Sequence, residues 1–287
     1  MGNNRRNFLK TLGVAGASLT FMKSQAAGTG KNDTNKEFYG ILYDSTRCVG
    51  CQSCEVACAE AYGFPSPEDW PEAGVTRKTS TSQRVVVNAF ETEKGEQYMR
   101  SACNHCSSPA CASACLTKAM LKTEEGPVIW REDKCMGCRS CMIACPFNVP
   151  KFEFDSPNPK IQKCRMCYEK LQEGSVPECI SACPAEALQF GKRRELIEIA
   201  RERIYADPDT YHHEIYGEHE AGGTGVLYLT AVPPEELGLR TDVGNVSYPE
   251  RNKTFLYSVP AVLVLWPAFL LGLRNASDEV KNNLKKS

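Results

Sequence analysis

The chain has 287 residues, of which 42% are hydrophobic, so it is long enough for one large domain or two small ones around a packed core. Its formal net charge is −1, so there is no excess of basic residues to neutralise phosphates. This excludes the strongly basic charge that is typical of nucleic-acid-binding proteins. The unusual feature is sixteen cysteines, all of which lie between Cys48 and Cys183. So many cysteines indicate disulfides, structural zinc or iron–sulfur clusters.

The N-terminal segment has the pattern of an export signal. Arg5 and Arg6 are followed by Phe-Leu-Lys, then by eleven weakly apolar residues up to Met22, and then by a Ser-Gln-Ala-Ala segment that ends at Ala27. A charged region, a short apolar region and a small-residue cleavage site in this order indicate a signal peptide, and the paired arginines resemble a twin-arginine signal. We predict a twin-arginine signal peptide over residues 1–27, with an uncleaved basic helix as the alternative.

The region from the signal to residue 253 mixes predicted strands with a predicted helix. Residues 28–37 are polar and predict a flexible linker. Runs rich in β-branched and aromatic residues predict strands at residues 39–43, 84–90 and 226–229, and two short strands around a turn between Cys115 and Cys135. Helical spacing of apolar residues predicts a helix over 195–204. The rest of 205–253 lacks a regular pattern, and the mixture predicts the α+β class.

The cysteines form an internal repeat of four quartets. Each quartet begins with C-x2-C and ends with C-x3-C, and only the middle gap varies, being two, four, two and eleven residues. The quartets are Cys48, Cys51, Cys54 and Cys58; Cys103, Cys106, Cys111 and Cys115; Cys135, Cys138, Cys141 and Cys145; and Cys164, Cys167, Cys179 and Cys183.

The spacing within the quartets indicates [4Fe–4S] clusters. The first and third quartets have the spacing C-x2-C-x2-C-x3-C, and Pro146 follows the third, as in the bacterial ferredoxin run. In that run three thiolates close a tight loop around one cluster, and the fourth ligates the neighbouring cluster. Because all sixteen positions are cysteine, we predict four [4Fe–4S] clusters. Residues 28–253 would then form tandem bacterial-type two-cluster ferredoxin folds with loop insertions.

Zinc and disulfides are the alternatives to iron. A zinc ribbon binds its metal with two C-x2-C pairs, so zinc sites of this kind would leave some cysteines without a metal. C-x2-C pairs make poor disulfide staples, because they close very short loops. A c-type haem requires C-x2-C-H, and no histidine follows any of these pairs. A disulfide- or zinc-stabilised exported binding protein is therefore the alternative of another class.

Basic residues and histidines near the quartets are the remaining polar candidates. The basic residues would raise the reduction potential of a negatively charged cluster if they lie close to it, and would be ordinary solvated charges if they are exposed. They are Arg47, Lys134, Arg139, Lys163 and Arg165. No nucleophile–base pair stands out, so we predict no catalytic residue. We expect His105 beside a cluster or at the surface, and His212, His213 and His219 at the surface or an interface.

The C-terminal segment predicts a transmembrane helix over residues 254–273. Residues 255–273 carry no charge, and a helix of that length rises about 28 Å, close to the hydrocarbon thickness of about 30 Å. Pro260 and Pro267 weaken the pattern, although membrane helices tolerate proline. A buried core helix is the alternative. With an exported N-terminus, the globular part would lie outside and residues 274–287 would form a cytoplasmic tail.

Three further stretches accompany the quartets: YDSTRCVGC at residues 43–51, CRSCMIACPFNVP at 138–150 and YGEHEAGGT at 216–224. With the quartets in this order, the chain resembles the iron–sulfur electron-transfer subunits of dimethyl sulfoxide reductase, formate dehydrogenase and hydrogenase-2. The twin-arginine signal and the single C-terminal apolar helix make it most similar to the HybA type of hydrogenase-2 subunit.

The resemblance implies a nested pairing of the quartets, in which three cysteines of one quartet share a cluster with the last cysteine of another. It joins Cys48, Cys51 and Cys54 with Cys183; Cys164, Cys167 and Cys179 with Cys58; Cys103, Cys106 and Cys111 with Cys145; and Cys135, Cys138 and Cys141 with Cys115. Spacing alone would also allow the third quartet to pair with the fourth. Ala59 and Leu116 stand where the ferredoxin run has proline, which leaves the shape of those two loops open.

The resemblance also implies a function and partners. The chain would be a non-catalytic electron-transfer subunit, anchored at the periplasmic face of the inner membrane by its C-terminal helix. Electrons would pass between a periplasmic catalytic subunit, with a hydrogenase as the first choice, and an integral membrane partner that exchanges electrons with quinone. Residues 205–253 are the candidate contact with partners. The alternative within this class is the beta subunit of a formate dehydrogenase or another molybdopterin oxidoreductase.

Overall fold

The structure is a computed structural model that describes residues 37–284. The predicted signal peptide lies outside the described residues, as do nearly all of the predicted linker and the last three residues of the predicted tail. The described residues belong to one structural unit that starts at Glu37. Within this part of the chain there are nine β-strands and seven α-helices.

The mixture of short strands and helices confirms the α+β content predicted from the sequence. The strands are β1 (Tyr39–Asp44), β2 (Val86–Thr92), β3 (Gly95–Ser101), β4 (Met120–Lys122), β5 (Val128–Trp130), β6 (Lys151–Phe152), β7 (Ile161–Gln162), β8 (Leu188–Lys192) and β9 (Val226–Leu229). The helices are α1 (Ser53–Tyr62), α2 (Ala110–Ser113), α3 (Ser140–Ala144), α4 (Tyr168–Gln172), α5 (Glu178–Ser181), α6 (Arg193–Ala206) and α7 (Tyr248–Leu284).

A three-stranded sheet joins the beginning and the end of the cysteine-rich region. β1 is the central strand and pairs antiparallel with β8 and parallel with β9. Tyr43, near the end of β1, is opposite Leu188 at the start of β8. The first quartet follows β1 and the fourth precedes β8. The pairing therefore brings these two quartets to the same edge of the sheet, although more than one hundred residues separate them.

Alternation along β1 divides the core into two layers, as the pleat of a strand requires. Leu42 packs on one face against Leu196 of helix α6. Ile41 and Tyr43 point to the other face, where they join a buried group that contains Cys179. The sheet therefore separates α6 from the cysteine loops and shields these loops from solvent on one side.

The short helices carry the later cysteines of the quartets and pack in two pairs. Helix α1 holds Cys54 and Cys58 and contacts α5, which holds Cys179. Helix α2 holds Cys111 and contacts α3, which holds Cys141. The first quartet is thus packed on the fourth and the second on the third. The hairpins β2–β3, β4–β5 and β6–β7 lie between successive quartets and space them along the chain.

The C-terminal helix α7 is a 37-residue helix that continues through Pro260 and Pro267. Residues 248–278 have the length and mean hydropathy of a candidate membrane span. The apolar side chains of this span are exposed and are not buried against the rest of the protein. The helix begins six residues before the predicted span, because Pro249 in the first turn needs no N–H partner and Glu250 suits the helix dipole.

The predicted strands and the predicted helix are present, with small shifts at their ends. The strand predicted at 84–90 begins two residues later, and the helix predicted over 195–204 is α6, whose buried side chains include Leu196 and Ile204. No sequence pattern indicated the strands β3, β6, β7 and β8 or the helices α1 to α5. Most of these helices have only four or five residues, too few for an apolar period to appear.

Candidate metal centre

The four cysteine loops share an unusual backbone conformation at one position. The residue before the second cysteine of each quartet has positive φ: Gly50 (69°), His105 (48°), Gly137 (72°) and Met166 (55°). Side chains other than glycine rarely adopt this conformation, because it brings Cβ close to the backbone. Turns of this kind direct successive N–H groups inward and form concavities that bind anions, including iron–sulfur centres.

A second position with positive φ recurs after the last cysteine of three of the four quartets. Lys118, Asn148 and Glu186, each three residues after the last cysteine of its quartet, also have positive φ. The loop after Cys115 therefore keeps this shape even though Leu116 replaces proline. The loop after Cys58 does not, because helix α1 continues to Tyr62. The missing prolines thus have different consequences in the two loops.

Polar groups of the chain point at the cysteine sulfurs. The Met120 N–H donates to Cys115 Sγ at 3.3 Å, and the Met166 N–H donates to Cys164 Sγ at 3.4 Å. The Ser53 hydroxyl lies 3.3 Å from Cys51 Sγ. Donors of this kind stabilise sulfur that carries negative charge, as thiolates do when they bind metal.

Thiols of different quartets lie close enough to interact, and we name four sets of neighbours, each drawn from two quartets. The first set is Cys48, Cys51, Cys54 and Cys183. The second set is Cys58, Cys164, Cys167 and Cys179. The third set is Cys103, Cys106, Cys111 and Cys145. The fourth set is Cys115, Cys135, Cys138 and Cys141. The nested pairing, which these sets follow, stays a prediction.

The electrostatics of individual thiols follow this grouping. Burial raises the pKa of the Cys58 thiol to about 12, and the charges of its three partners in the second set contribute to the increase. Burial likewise raises the pKa of Cys141 to about 11, with contributions from the other members of the fourth set. Burial raises the pKa of Cys106, and the third-set thiols of Cys103, Cys145 and Cys111 raise it further. Without a metal centre, these three buried thiols are therefore favoured in the neutral, protonated form.

The second set surrounds a small enclosed cavity. Its lining includes all four thiols of the set together with Arg100 and Tyr62. All sixteen cysteines of the chain are free thiols, so no disulfide occupies these positions. In residues 37–284, no three His, Cys, Asp or Glu side chains are close enough together to bind one metal ion. Four thiols around one cavity are the donor set that a [4Fe–4S] cluster requires.

The four sets differ in exposure. Cys138, in the fourth set, is exposed, whereas several thiols of the second and third sets are buried. The large apolar side chains of Leu116, Met136 and Ile143 are also exposed around the fourth set. The fourth set is therefore the one of the four sets that contains an exposed cysteine.

Lys163 and Arg100 are two of the buried cations beside the thiols, and Arg84, near Cys58 and Cys164, is another. Lys163 was among the five basic residues noted in the sequence, and its ammonium group donates to the carbonyl oxygens of Val128 and Cys164 and lies 3.7 Å from Cys103 Sγ. Arg100 was not noted, because an arginine in a hairpin strand has no sequence signal that sets it apart. It is fully buried, with one nitrogen 3.8 Å from Cys179 Sγ.

Of the other four basic residues noted in the sequence, three are surface charges and Arg165 lies at the second set. Arg47 pairs with Asp44 and Arg165 with Glu169, and both arginine side chains are partly exposed. Arg139 is exposed and stacks against Phe152. Lys134 is exposed. Arg47, Lys134 and Arg139 therefore agree better with solvated charges, whereas Arg165 lines the cavity of the second set and its buried Nε has no partner in the described part of the chain.

His105 lies within the second cysteine loop and is fully buried, so the surface position considered for it is wrong. Its Nδ1 accepts a hydrogen bond from the Val128 N–H, while the buried Nε2 has no protein partner in the described part of the chain. Burial, together with the positive charges of Lys163, Lys122 and Arg100, holds the pKa of His105 well below its usual value. The imidazole is therefore neutral and carries its proton on Nε2. His213 and His219 are exposed and His212 is half-buried.

Lys163 provides a test of the buried site. In Lys163→Met, the carbonyl oxygens of Val128 and Cys164 lose their donor, which we expect to lower the free energy of unfolding by about 1–3 kcal/mol. In the matched variant Lys160→Met, an ion pair between exposed side chains is lost, and we expect little change. The measurement is the midpoint of urea-induced unfolding under anaerobic conditions. Equal midpoints for the two variants would contradict the structural role of Lys163.

Comparisons with known proteins identify the family. Residues 95–193 match the model of the 4Fe-4S dicluster domain. A protein of Nitratidesulfovibrio vulgaris (strain Hildenborough) is 42% identical over 279 residues, which cover 94% of this chain and 75% of that protein. A component of the anaerobic dimethyl sulfoxide reductase of Escherichia coli (strain K12) is 37% identical over 171 residues, which cover 55% of this chain and 75% of that component.

The prediction of [4Fe–4S] clusters is confirmed by the dicluster domain match, although this match covers about a third of the chain. The similarity to the hydrogenase-2 operon protein HybA of Escherichia coli O157:H7 extends much further. The two proteins are 35% identical over 310 aligned positions, which cover 94% of this chain and 93% of that protein. The chain therefore belongs to the HybA family of iron–sulfur proteins.

Proposed function

We propose that this chain is a membrane-anchored electron-transfer subunit that carries single electrons through four [4Fe–4S] clusters. The observation that carries the proposal is the grouping of sixteen free thiols into four sets of four, each drawn from two quartets. The cysteines of each set are the proposed ligands of one cluster. Two tandem ferredoxin-like halves would then be nested, the first and fourth quartets forming one half and the second and third the other.

The sets follow one another through close contacts, which gives electrons a continuous route. Cys54 of the first set lies beside Cys179 of the second. Lys163 lies between Cys164 of the second set and Cys103 of the third. Cys111 of the third set lies beside Cys141 of the fourth. The proposed order of electron transfer is therefore first, second, third and fourth set, in either direction.

The residues of the chain hold the clusters and stabilise their charge. A [4Fe–4S] cluster supplies one-electron chemistry, and the potential at which it does so depends on charge, hydrogen bonds to sulfur and solvent exposure. The Met120 and Met166 N–H groups donate to ligand sulfurs, and the positive-φ turns direct further N–H groups inward. Buried apolar side chains around the second and third sets, including Val85 and Val149, exclude water.

The location and the partners are part of the same proposal. Helix α7, with exposed apolar side chains over a length sufficient for a bilayer, would anchor the chain as a single transmembrane helix. The paired arginines at the N-terminus favour export by the twin-arginine route, which would place the clusters at the periplasmic face of the inner membrane. The exposed fourth set would be where electrons enter or leave the protein.

We propose a hydrogenase as the catalytic partner, because the name of the HybA relative refers to hydrogenase-2 and the similarity covers almost the whole of both proteins. An integral membrane protein that exchanges electrons with quinone would complete the route. The second candidate is a molybdopterin oxidoreductase, whose beta subunit this chain would be. The similarity to the dimethyl sulfoxide reductase component over 171 residues favours that candidate.

Metal content tests the central claim. We expect the chain purified without oxygen to be brown, with broad absorption near about 400 nm and about sixteen iron atoms per chain, because each set of four thiolates would hold one four-iron cluster. Zinc should be present only in traces. A folded, colourless protein without iron, or one with stoichiometric zinc, would end the electron-transfer interpretation.

Cys138 tests the ligand assignment, because it is the exposed member of the fourth set. We expect Cys138→Ser to lose one cluster, leaving about twelve iron atoms per chain, and to stop turnover of the complex. Met136→Ser introduces the same residue at an exposed position of the same loop and should keep all the iron. Iron content is measured on both purified variants. Unchanged iron in Cys138→Ser would contradict its assignment.

Co-purification tests the partner. From membranes solubilised in mild detergent, an affinity tag on this chain should recover the small and large subunits of a hydrogenase. A version of the chain that ends at residue 247 lacks α7 and should leave the membrane fraction. A molybdopterin enzyme in the purified complex would instead support the second candidate.

A further inference from the structure

Arg100 is a buried cation with few protein partners. It lies near the end of β3, opposite Val87 of β2, and none of its surface is exposed. One guanidinium nitrogen lies 3.8 Å from Cys179 Sγ. The other two nitrogens, Nε and Nη1, have no hydrogen-bond partner in the described part of the chain. Burying a charged group is unfavourable unless opposite charge and hydrogen bonds offset the loss of water.

The opposite charge near Arg100 comes from cysteine sulfurs. The neighbouring sulfurs are those of Cys179, Cys164 and Cys54, which carry negative charge when they bind a metal centre. Two of these thiols belong to the second set and one to the first. Arg100 also lines the enclosed cavity that the second set surrounds. Its charge is therefore compensated at the place where the second cluster would bind.

We propose that Arg100 is a positioning residue that raises the reduction potential of the cluster held by the second set. This inference rests on the proposed function. The guanidinium group donates to the Cys179 sulfur and has two further nitrogens available to donate to a centre in the cavity. Since Cys54 is also a neighbour, the same charge has a weaker effect on the first cluster.

The direction of the effect follows from charge. Reduction adds one electron from the preceding carrier and no atoms, so it increases the negative charge of the centre by one unit. A fixed positive charge inside the protein stabilises the more negative form, because the surroundings screen it far less than water does. Removing that charge therefore makes the cluster harder to reduce. Electron transfer from the first cluster to the second then becomes less favourable.

The other buried cations near the second set differ from Arg100. The Lys163 ammonium group is bonded to two backbone carbonyl oxygens. Arg84 donates twice to the Gln162 side chain and stacks over Tyr62. Each has side-chain hydrogen bonds to oxygen atoms of the protein, although Nη1 of Arg84 has no partner in the described part of the chain. Arg100 instead directs its side-chain hydrogen bond to a ligand sulfur.

The test is a redox titration of the full chain, purified with its partners and monitored by electron paramagnetic resonance. Three variants are compared: Arg100→Met and Arg100→Gln, which remove the charge, and Arg100→Lys, which keeps it. Arg201→Met removes the same charge from a half-exposed ion pair with Glu218 and serves as the control. The signal that disappears in Cys58→Ser identifies the second cluster.

We expect full iron content in the neutral variants and a reduction equilibrium of the second cluster at least tenfold less favourable, a decrease in midpoint potential of about 59 mV. Arg100→Lys should lie between these variants and the wild type, and Arg201→Met should not differ from it. An unchanged midpoint in either neutral variant that retains its iron would overturn the proposal. Loss of four iron atoms in both neutral variants would also overturn it, because Arg100 would then be needed for assembly.

The titration separates this inference from the proposed function. If the wild-type protein contains no iron–sulfur cluster, the proposed function fails and the role of Arg100 fails with it. If the wild type contains about sixteen iron atoms and only the Arg100 variants show no shift, the proposed function stands and the role of Arg100 does not.

Discussion

The structure depends on gathering sixteen cysteine sulfurs in a small protein, with six of the cysteines buried, nine partly buried and one exposed. Burial raises the pKa of most of these thiols, so holding them as thiolates requires compensating positive charge. The metal centres would supply most of that charge. The chain supplies the rest through N–H groups that point at sulfur and through the buried cations Arg100 and Lys163. The cofactors and the fold would therefore stabilise each other.

This requirement accounts for the architecture. A ferredoxin quartet alone cannot bury its own loop, so each quartet packs against another, α1 on α5 and α2 on α3. The sheet formed by β8, β1 and β9 holds the first and fourth quartets together and covers them on one side. The hairpins between quartets set their spacing. The result is a row of four thiol sets, from the edge of this sheet to the exposed loop of Cys138.

The second and third sets differ in their surroundings from the fourth set, which suits a protein that passes electrons between partners. The second and third sets are enclosed by apolar side chains and by the buried cations, so their electrostatic environment is set by the protein. The fourth set meets solvent among exposed apolar residues. The interior sets would determine how readily electrons move along the row, and the exposed one would determine where they cross to another protein.

The chemistry of the site could be predicted from the sequence, because ligand type and spacing are local: C-x2-C triplets closed by C-x3-C predict iron–sulfur clusters without any knowledge of the fold. The apolar run at the C-terminus and the strand that became β1 are local signals of the same kind. The spacing allowed more than one pairing of the quartets. Only the folded chain decides which distant thiols lie together, such as Cys58 and Cys164. The burial of Arg100 beside sulfur and the exposure of Arg139 likewise follow from packing between segments far apart in the chain, which no local pattern records.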